Sequence, residues 1–334
     1  MKTFIRKSLT YIVILLLLTG GIISVLLKLY PEVFLSSRVE YVMWNKQLER
    51  IYRTKHKQHL NAIIGDSRAM AAINPKDLSP NYQNFSLGGT SFYEGYITLR
   101  TLLETNKIDT LIVCYAPVHF EKNGGNLLQR TMVFQYSQQK DIEELAKIEK
   151  QFNANIETKE NQDDQPFSTV DRLLHYYHEP FTFRGTMIGQ FQKNWIPSPI
   201  EAQVKKELDQ NLGQAFYGRN TSMFGVAEEA RELNFKPNPV IDHYLDAMME
   251  LVKKHHIACY IITPPMSKNT YKFAKKAYFR AYLGHLLHLQ SRYPNVHIDT
   301  NLHVFGPFHF GDASHVNVLG GRKFVKEAYR IISL

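Results

Sequence analysis

The stretch Asn61-Ala62-Ile63-Ile64-Gly65-Asp66-Ser67-Arg68 decides how the rest of the chain reads. Ala62, Ile63 and Ile64 form a short apolar run of the kind a strand buried on both faces needs, and Gly65-Asp66 ends it with a turn signal. Helical character follows through Met70 and Ala72. A serine between a strand end and a helix start sits in a sharp turn at the carboxyl edge of a sheet, where open α/β folds bind ligands. The free N–H groups of the helix's first turn suit a developing oxyanion. Ser67 is therefore the candidate nucleophile. Helix capping is the competing role for Asp66 and Ser67, because both residue types cap well.

Downstream, residues 81–87 read as a second strand that runs into Gly88-Gly89, residues 93–104 as an amphipathic helix, and residues 110–115 as a third strand closed by Ala116-Pro117. Strand and helix alternating at this spacing predict an α/β fold with a doubly wound parallel sheet. The alternation stops from about 119 to 238. There, helix-like stretches at 141–152 and 226–233 are separated by polar segments such as 157–165, which predicts a mainly helical insertion placed as a lid over the site. Regular alternation returns with a helix at 239–256, a strand at 257–263, the turn Pro264-Pro265, a helix at 271–293 and a strand at 296–299. The last helix, 318–332, carries Phe324, Val325, Ala328, Tyr329 and Ile332 on one face.

Just ahead of that helix stands Asp312-Ala313-Ser314-His315. A serine nucleophile needs a base to take its proton, and the base needs an acceptor that fixes its tautomer and stabilises the imidazolium. A carboxylate three residues upstream can reach one ring nitrogen while the other faces the serine. Asp312 and His315 are therefore the candidate relay. Arg68, next to Ser67, is a candidate for holding an anionic substrate group, and His119 and His309 are candidates for lining the cleft. His255-His256 at a helix end suits the helix dipole and reads as structural. No His, Cys or carboxylate spacing marks a metal site, and no cofactor motif is present.

Composition bounds these readings. With 334 residues, 44% of them hydrophobic and 21% charged, the bulk of the chain can bury a full core rather than stay disordered. The net charge is +9, but Lys2, Arg6, Lys7 and Lys28 supply four of those charges within the first 28 residues. The remaining excess is mild and fits a polyanionic surface or glycan. No RNP motif, zinc-finger spacing or long basic run is present, which argues against nucleic acid. Cys114 and Cys259 lie inside apolar runs and read as buried thiols.

Residues 8–27 carry no charge and are long enough to cross a bilayer as a helix. Lys2, Arg6 and Lys7 precede them, so the positive-inside rule keeps the N-terminus in the cytoplasm. A cleaved signal peptide is the rival, but Thr19-Gly20-Gly21 is a poor cleavage site and apolar residues continue past it. The expected organisation is a cytoplasmic tip and transmembrane anchor at 1–30, a juxtamembrane helix at 31–57, and a catalytic body at 58–334.

The combination of motifs resembles a known family. Gly65-Asp66-Ser67 after the first strand of the body looks like the first block of the SGNH/GDSL hydrolases. Asn84-Phe85-Ser86-Leu87-Gly88-Gly89 is similar to their second block, and Asp312-x-x-His315 followed by Asn317 and Gly320 resembles their last. The anchored layout and Pro264-Pro265 look most like the envelope branch that includes the D-alanyl-transfer protein DltD and the alginate O-acetylation proteins. The resemblance implies an SGNH-like, flavodoxin-like three-layer fold and serine-dependent acyl transfer or deacylation without cofactor or metal. It implies an oxyanion hole from Ser67 and Gly88 or Gly89, with Asn84 and His119 near the substrate. The implied location is the bacterial cytoplasmic membrane with the body periplasmic or extracellular. The implied partners are an envelope glycan or polymer, an acyl donor and a membrane-bound O-acyltransferase. One block departs. Where the family carries Gly-x-Asn after the third strand, this chain reads Cys114-Tyr115-Ala116-Pro117-Val118-His119, without an Asn, and Asn123 lies further on. That gap keeps open a non-catalytic scaffold that assists an acyltransferase. A secreted lipase or esterase is a third reading, opposed by the anchor.

Overall fold

The apolar residues of the strands divide between two cores. In β1 (Leu60–Gly65), Leu60, Ala62 and Ile64 enter one cluster and Ile63 the other. In β3 (Ile108–Cys114), Leu111 and Val113 join the first, and Ile112 and Cys114 the second. Successive strand side chains point to opposite faces, so this division means that both faces of the sheet are covered. The computed structural model describes residues 2–29, 38–122, 131–132, 134–156, 198–221 and 225–333. Asn123 and the 157–165 segment lie outside them.

The chain is an α/β protein built on a five-stranded parallel sheet. With β2 (Tyr82–Asn84), β4 (Ala258–Ile261) and β6 (Val296–Ile298), the order across the sheet is β2-β1-β3-β4-β6. The chain leaves β1 toward one edge for β2 and returns past it to β3, so the order reverses between β1 and β3. Ligands of open parallel sheets bind outside the carboxyl ends of the strands at such a point. A separate parallel pair, β5 (Met266–Ser267) and β7 (Val304–Phe305), lies outside the main sheet.

Several boundaries differ from the sequence expectation. The second strand is shorter than 81–87, yet Phe85 and Leu87 keep donating to Ile63 O at 2.7 Å and Gly65 O at 3.0 Å. That extension carries Gly88 to the end of β1. The helix expected at 271–293 is broken. Lys268–Phe273 and Lys276–Arg292 are separate, with Ala274 and Lys275 extended between them (ψ 149° and 131°). No Gly or Pro marks the break. Tertiary contacts impose it: Thr270 is held by Ser267 Oγ and by Ala227 N–H, while Tyr278 turns inward to Glu121 at 2.7 Å.

The expected helix at 226–233 is only a single 3₁₀ turn, Glu228–Arg231. Its Glu229 is drawn inward, and the chain then extends so that Phe235 can pack on Phe120, Tyr278 and Tyr282. Elsewhere in the 119–238 region, Gln139–Phe152 and Pro199–Gln210 are regular helices.

The N-terminal helix, α1 (Lys2–Leu29), contains a 20-residue span, Phe4–Ile23, long and apolar enough to cross a membrane, and none of it is buried against the body. The next helix, α2 (Arg38–Arg53), was expected beside the membrane, but it is built into the body. Met43, Trp44 and Ile51 are buried in the larger core, and the buried Gln47 amide lies 3.0–3.2 Å from the carbonyls of Asn84, Ser86 and Gly213. The body therefore begins by Arg38 rather than at 58. The reason is amphipathicity: one face of α2 carries the large apolar side chains.

Candidate active site

Asp66 joins the two strand ends where the order reverses. It caps the helix α3 (Ser67–Ala72), its Oδ1 accepting from the N–H of Arg68 at 2.8 Å and of Ala69 at 3.2 Å. Its Oδ2 accepts from Ala116 N–H, just past β3, at 2.9 Å. Asp66 is fully buried, so each of these charge-assisted bonds fixes backbone that solvent cannot rearrange. The capping role thus falls to Asp66, leaving the Ser67 hydroxyl for another partner.

That partner is His315, 248 residues away in sequence: its Nε2 lies 2.8 Å from Ser67 Oγ. His315 Nδ1 is 2.7 Å from Asp312 Oδ2. The other Asp312 oxygen accepts from the N–H of Ser314 at 2.8 Å and of His315 at 2.7 Å, so the same carboxylate shapes the loop that carries the ring. Gly311 N–H to His315 O at 2.8 Å closes that loop. Asn317 ends it by capping the last helix, α4 (Val318–Ile332), and by donating to Phe308 O at 2.8 Å. A carboxylate only accepts, so the neutral ring carries its proton on Nδ1 and presents a lone pair at Nε2 to the serine hydroxyl. Burial works to raise the Asp312 carboxyl, but the His315 hydrogen bond and charge, together with the two backbone N–H groups, hold it down to about 2. Asp312 is therefore ionised throughout the physiological range.

Gly88 and Gly89 reach the same cleft, and their backbone N–H groups make no hydrogen bond among the described residues. Thr90 fixes this turn by donating to Gly65 O at 3.1 Å and Leu87 O at 2.9 Å. The cleft has a volume of about 640 Å³, the size of a pocket for a small ligand. Glu40, Met43 and Trp44 of α2 form part of its wall, and Tyr217, Val226 and Glu228 come from the inserted region.

The structure separates the remaining expected residues. Arg68 borders the cleft but is spent on a buried pair with Glu229 at 2.7 Å. Burial disfavours its charge, yet the Glu229 charge and hydrogen bond prevail and raise its pKa. Asn84 lies away from the cleft, fully buried. Its amide donates to Ala69 O at 3.2 Å and Ile73 O at 2.9 Å and accepts from Ser86 N–H, so it braces α3 against β2. His119 lines the cleft, with Nε2 3.3 Å from Asp66 Oδ2. Burial, assisted by the Arg68 charge and opposed by Asp66, pulls its pKa below the ordinary imidazole value. His309 is not among the described residues that line the cleft; its Nδ1 lies 3.3 Å from Gly306 O. Cys114 and Cys259 are buried free thiols whose pKa values burial pushes up. Among the described residues, no three His, Cys, Asp or Glu side chains are grouped to hold a metal ion.

Sequence reasoning missed Tyr217. Its ring stacks on His315 with centroids 4.3 Å apart and planes 18° apart. The neighbouring Gly218 packs backbone to backbone against Gly311, a Cβ on either meeting carbonyl oxygen at 2.6 Å or less. The aromatic-glycine pair Tyr217-Gly218 was the only local signal. Glu229 was equally invisible, because nothing in its spacing points to Arg68.

Comparison with protein-family models and with curated proteins returns no match for this chain.

Proposed function

We propose that this chain is an SGNH-type serine-dependent ester hydrolase or O-acyltransferase that works on an extracytoplasmic envelope glycan or polymer. The observation that carries the reading is the continuous Ser67–His315–Asp312 chain at 2.8 and 2.7 Å, assembled from the two ends of the body. Ser67 Oγ attacks an ester carbonyl as its proton passes to His315 Nε2. The resulting imidazolium is stabilised by ionised Asp312. Collapse of the tetrahedral intermediate expels the alcohol, which takes the proton back, and leaves an acyl-serine. Water or a sugar hydroxyl then attacks that acyl group with His315 again as base. A free N–H of Gly88 or Gly89 supports an oxyanion hole with Ser67 N–H.

The span Phe4–Ile23 serves as a single-pass anchor in a bacterial cytoplasmic membrane, with Lys2, Arg6 and Lys7 inside and the body outside. Its natural setting is beside a membrane-bound O-acyltransferase that supplies or receives the acyl group. A scaffold would have no use for a hydroxyl at the cleft whose imidazole partner is in turn held by a carboxylate, which favours the enzyme. The test is intact-mass analysis of the full chain in detergent after incubation with p-nitrophenyl acetate. An acetyl adduct that maps to Ser67 and is absent from Ser67→Ala is expected. Its loss to water alone, or faster loss to added glycans, separates hydrolase from transferase. No adduct on Ser67 sinks the reading.

A further inference from the structure

The turn after β3 offers no Asn side chain, and the polar side chains around Ser67 are mostly engaged. Arg68 is paired with Glu229, and His119 Nε2 faces Asp66. Ser314 Oγ lies 3.3 Å from His315 Nδ1, on the Asp312 side of the ring. The Tyr217 hydroxyl stands elsewhere. A Cβ built on Gly88 would lie 2.6 Å from Tyr217 Oη and 3.7 Å from Ser67 Cβ, so the phenol and the serine flank the same face of Gly88. Among the described residues that hydroxyl donates to Met70 Sδ at 3.7 Å, a thioether and a weak acceptor that an oxyanion displaces. The ring is held in place by its stack on His315 and by the Gly218–Gly311 backbone contact.

We infer that Tyr217, from the inserted region, donates its O–H to the oxyanion of the tetrahedral intermediate and fills the place left by the absent Asn. The inference rests on the reading of Ser67 as nucleophile. As Ser67 Oγ forms its bond to the carbonyl carbon, the π electrons of C=O move onto oxygen and the serine proton goes to His315. The Tyr217 proton stays on its oxygen and only hydrogen-bonds. Two backbone donors and one phenol then surround the charge. The stacked ring face also meets the imidazolium as it forms, a favourable contact for a cation. One inserted residue thus touches both charges of the transition state.

The experiment compares the rate at which a fluorophosphonate modifies Ser67 in the full chain, since the phosphonyl oxygen occupies the same hole. Tyr217→Phe keeps the stack and removes the donor. Its labelling and its kcat for p-nitrophenyl acetate should fall roughly 10²–10³-fold with KM little changed. Labelling at the wild-type rate overturns the role of Tyr217 while the Ser67 reading stands. A wild-type chain that takes no label overturns the Ser67 reading, and Tyr217 with it. Should Tyr217→Phe unfold, difluorotyrosine at 217, used where its phenol stays protonated, keeps the shape and strengthens the donor. It should label faster than the wild type. A slower or unmoved rate contradicts the proposal, since a purely structural ring would leave the rate unmoved.

Discussion

Arg68 and Glu229 form a buried ion pair at 2.7 Å that ties the helix of the candidate nucleophile to the inserted region, with side chains 7% and 0% exposed. Neither charge is reached freely by water, so each depends on the other. Removing one partner from such a pair costs about 3–5 kcal/mol, whereas replacing both with apolar groups of similar volume is often close to neutral. Glu229→Ala should therefore destabilise the body by about that amount in urea unfolding. Arg68→Met combined with Glu229→Leu should recover most of the loss. Equal destabilisation by the single and the double variants would show that the pair is not coupled as the geometry requires.

Arg68 shows how far the sequence could be read. Its position beside Ser67 was legible, and so was the site's skeleton. The apolar run into Gly65-Asp66-Ser67 marked the strand and turn, and Asp312-x-x-His315 marked the two side chains that the fold brings to Ser67. These are local patterns, fixed by backbone periodicity and by the reach of a side chain over three residues. The partner of Arg68 was not legible, because Glu229 lies 161 residues away in a stretch with no regular period. Tyr217 stayed hidden for the same reason. Asn84 misled in the other direction: it sits in a block that looks catalytic, yet its amide is consumed by the carbonyls of Ala69 and Ile73.

The integration of α2 sets where the chain can be cut. A chain beginning at Arg38 keeps Met43, Trp44, Gln47 and Ile51 in place and loses the exposed apolar helix. It should be soluble and monodisperse in size-exclusion chromatography without detergent. A chain beginning at Lys57 loses those buried side chains and strips the Gln47 amide from three backbone carbonyls. Truncating even one large core residue costs about 3–5 kcal/mol, so this chain should aggregate or fail to fold. Equal behaviour of the two would return α2 to the membrane surface.

His303 supplies a pH dependence away from the cleft. Its Nε2 lies 2.7 Å from Asp299 Oδ2 and its Nδ1 2.6 Å from Glu327 Oε2, so only the imidazolium donates at both ends. Burial disfavours that charge, but the two carboxylates outweigh it and raise the pKa. The folded state thus holds its proton more tightly than the unfolded chain. The stabilisation is complete below the ordinary imidazole value of about 6.5 and fades as pH rises through the raised folded value. Urea midpoints should fall from neutral toward alkaline pH more steeply for the wild type than for His303→Gln. Parallel profiles would remove His303 as the titrating group.

The central claim is that Ser67, His315 and Asp312 act as one unit, and the most direct measurement is turnover of an activated ester by a mutant cycle. His315→Ala removes the base. Asp312→Asn keeps the size but lets the ring settle in the wrong tautomer, a change that costs about 10⁴ in turnover in a well-studied triad. Residues that work as a unit are disabled by the loss of any one, so the effects should be grossly non-additive. The double variant should be no slower than His315→Ala alone. Losses that simply multiply would mean that Asp312 and His315 act independently, and would contradict the claim.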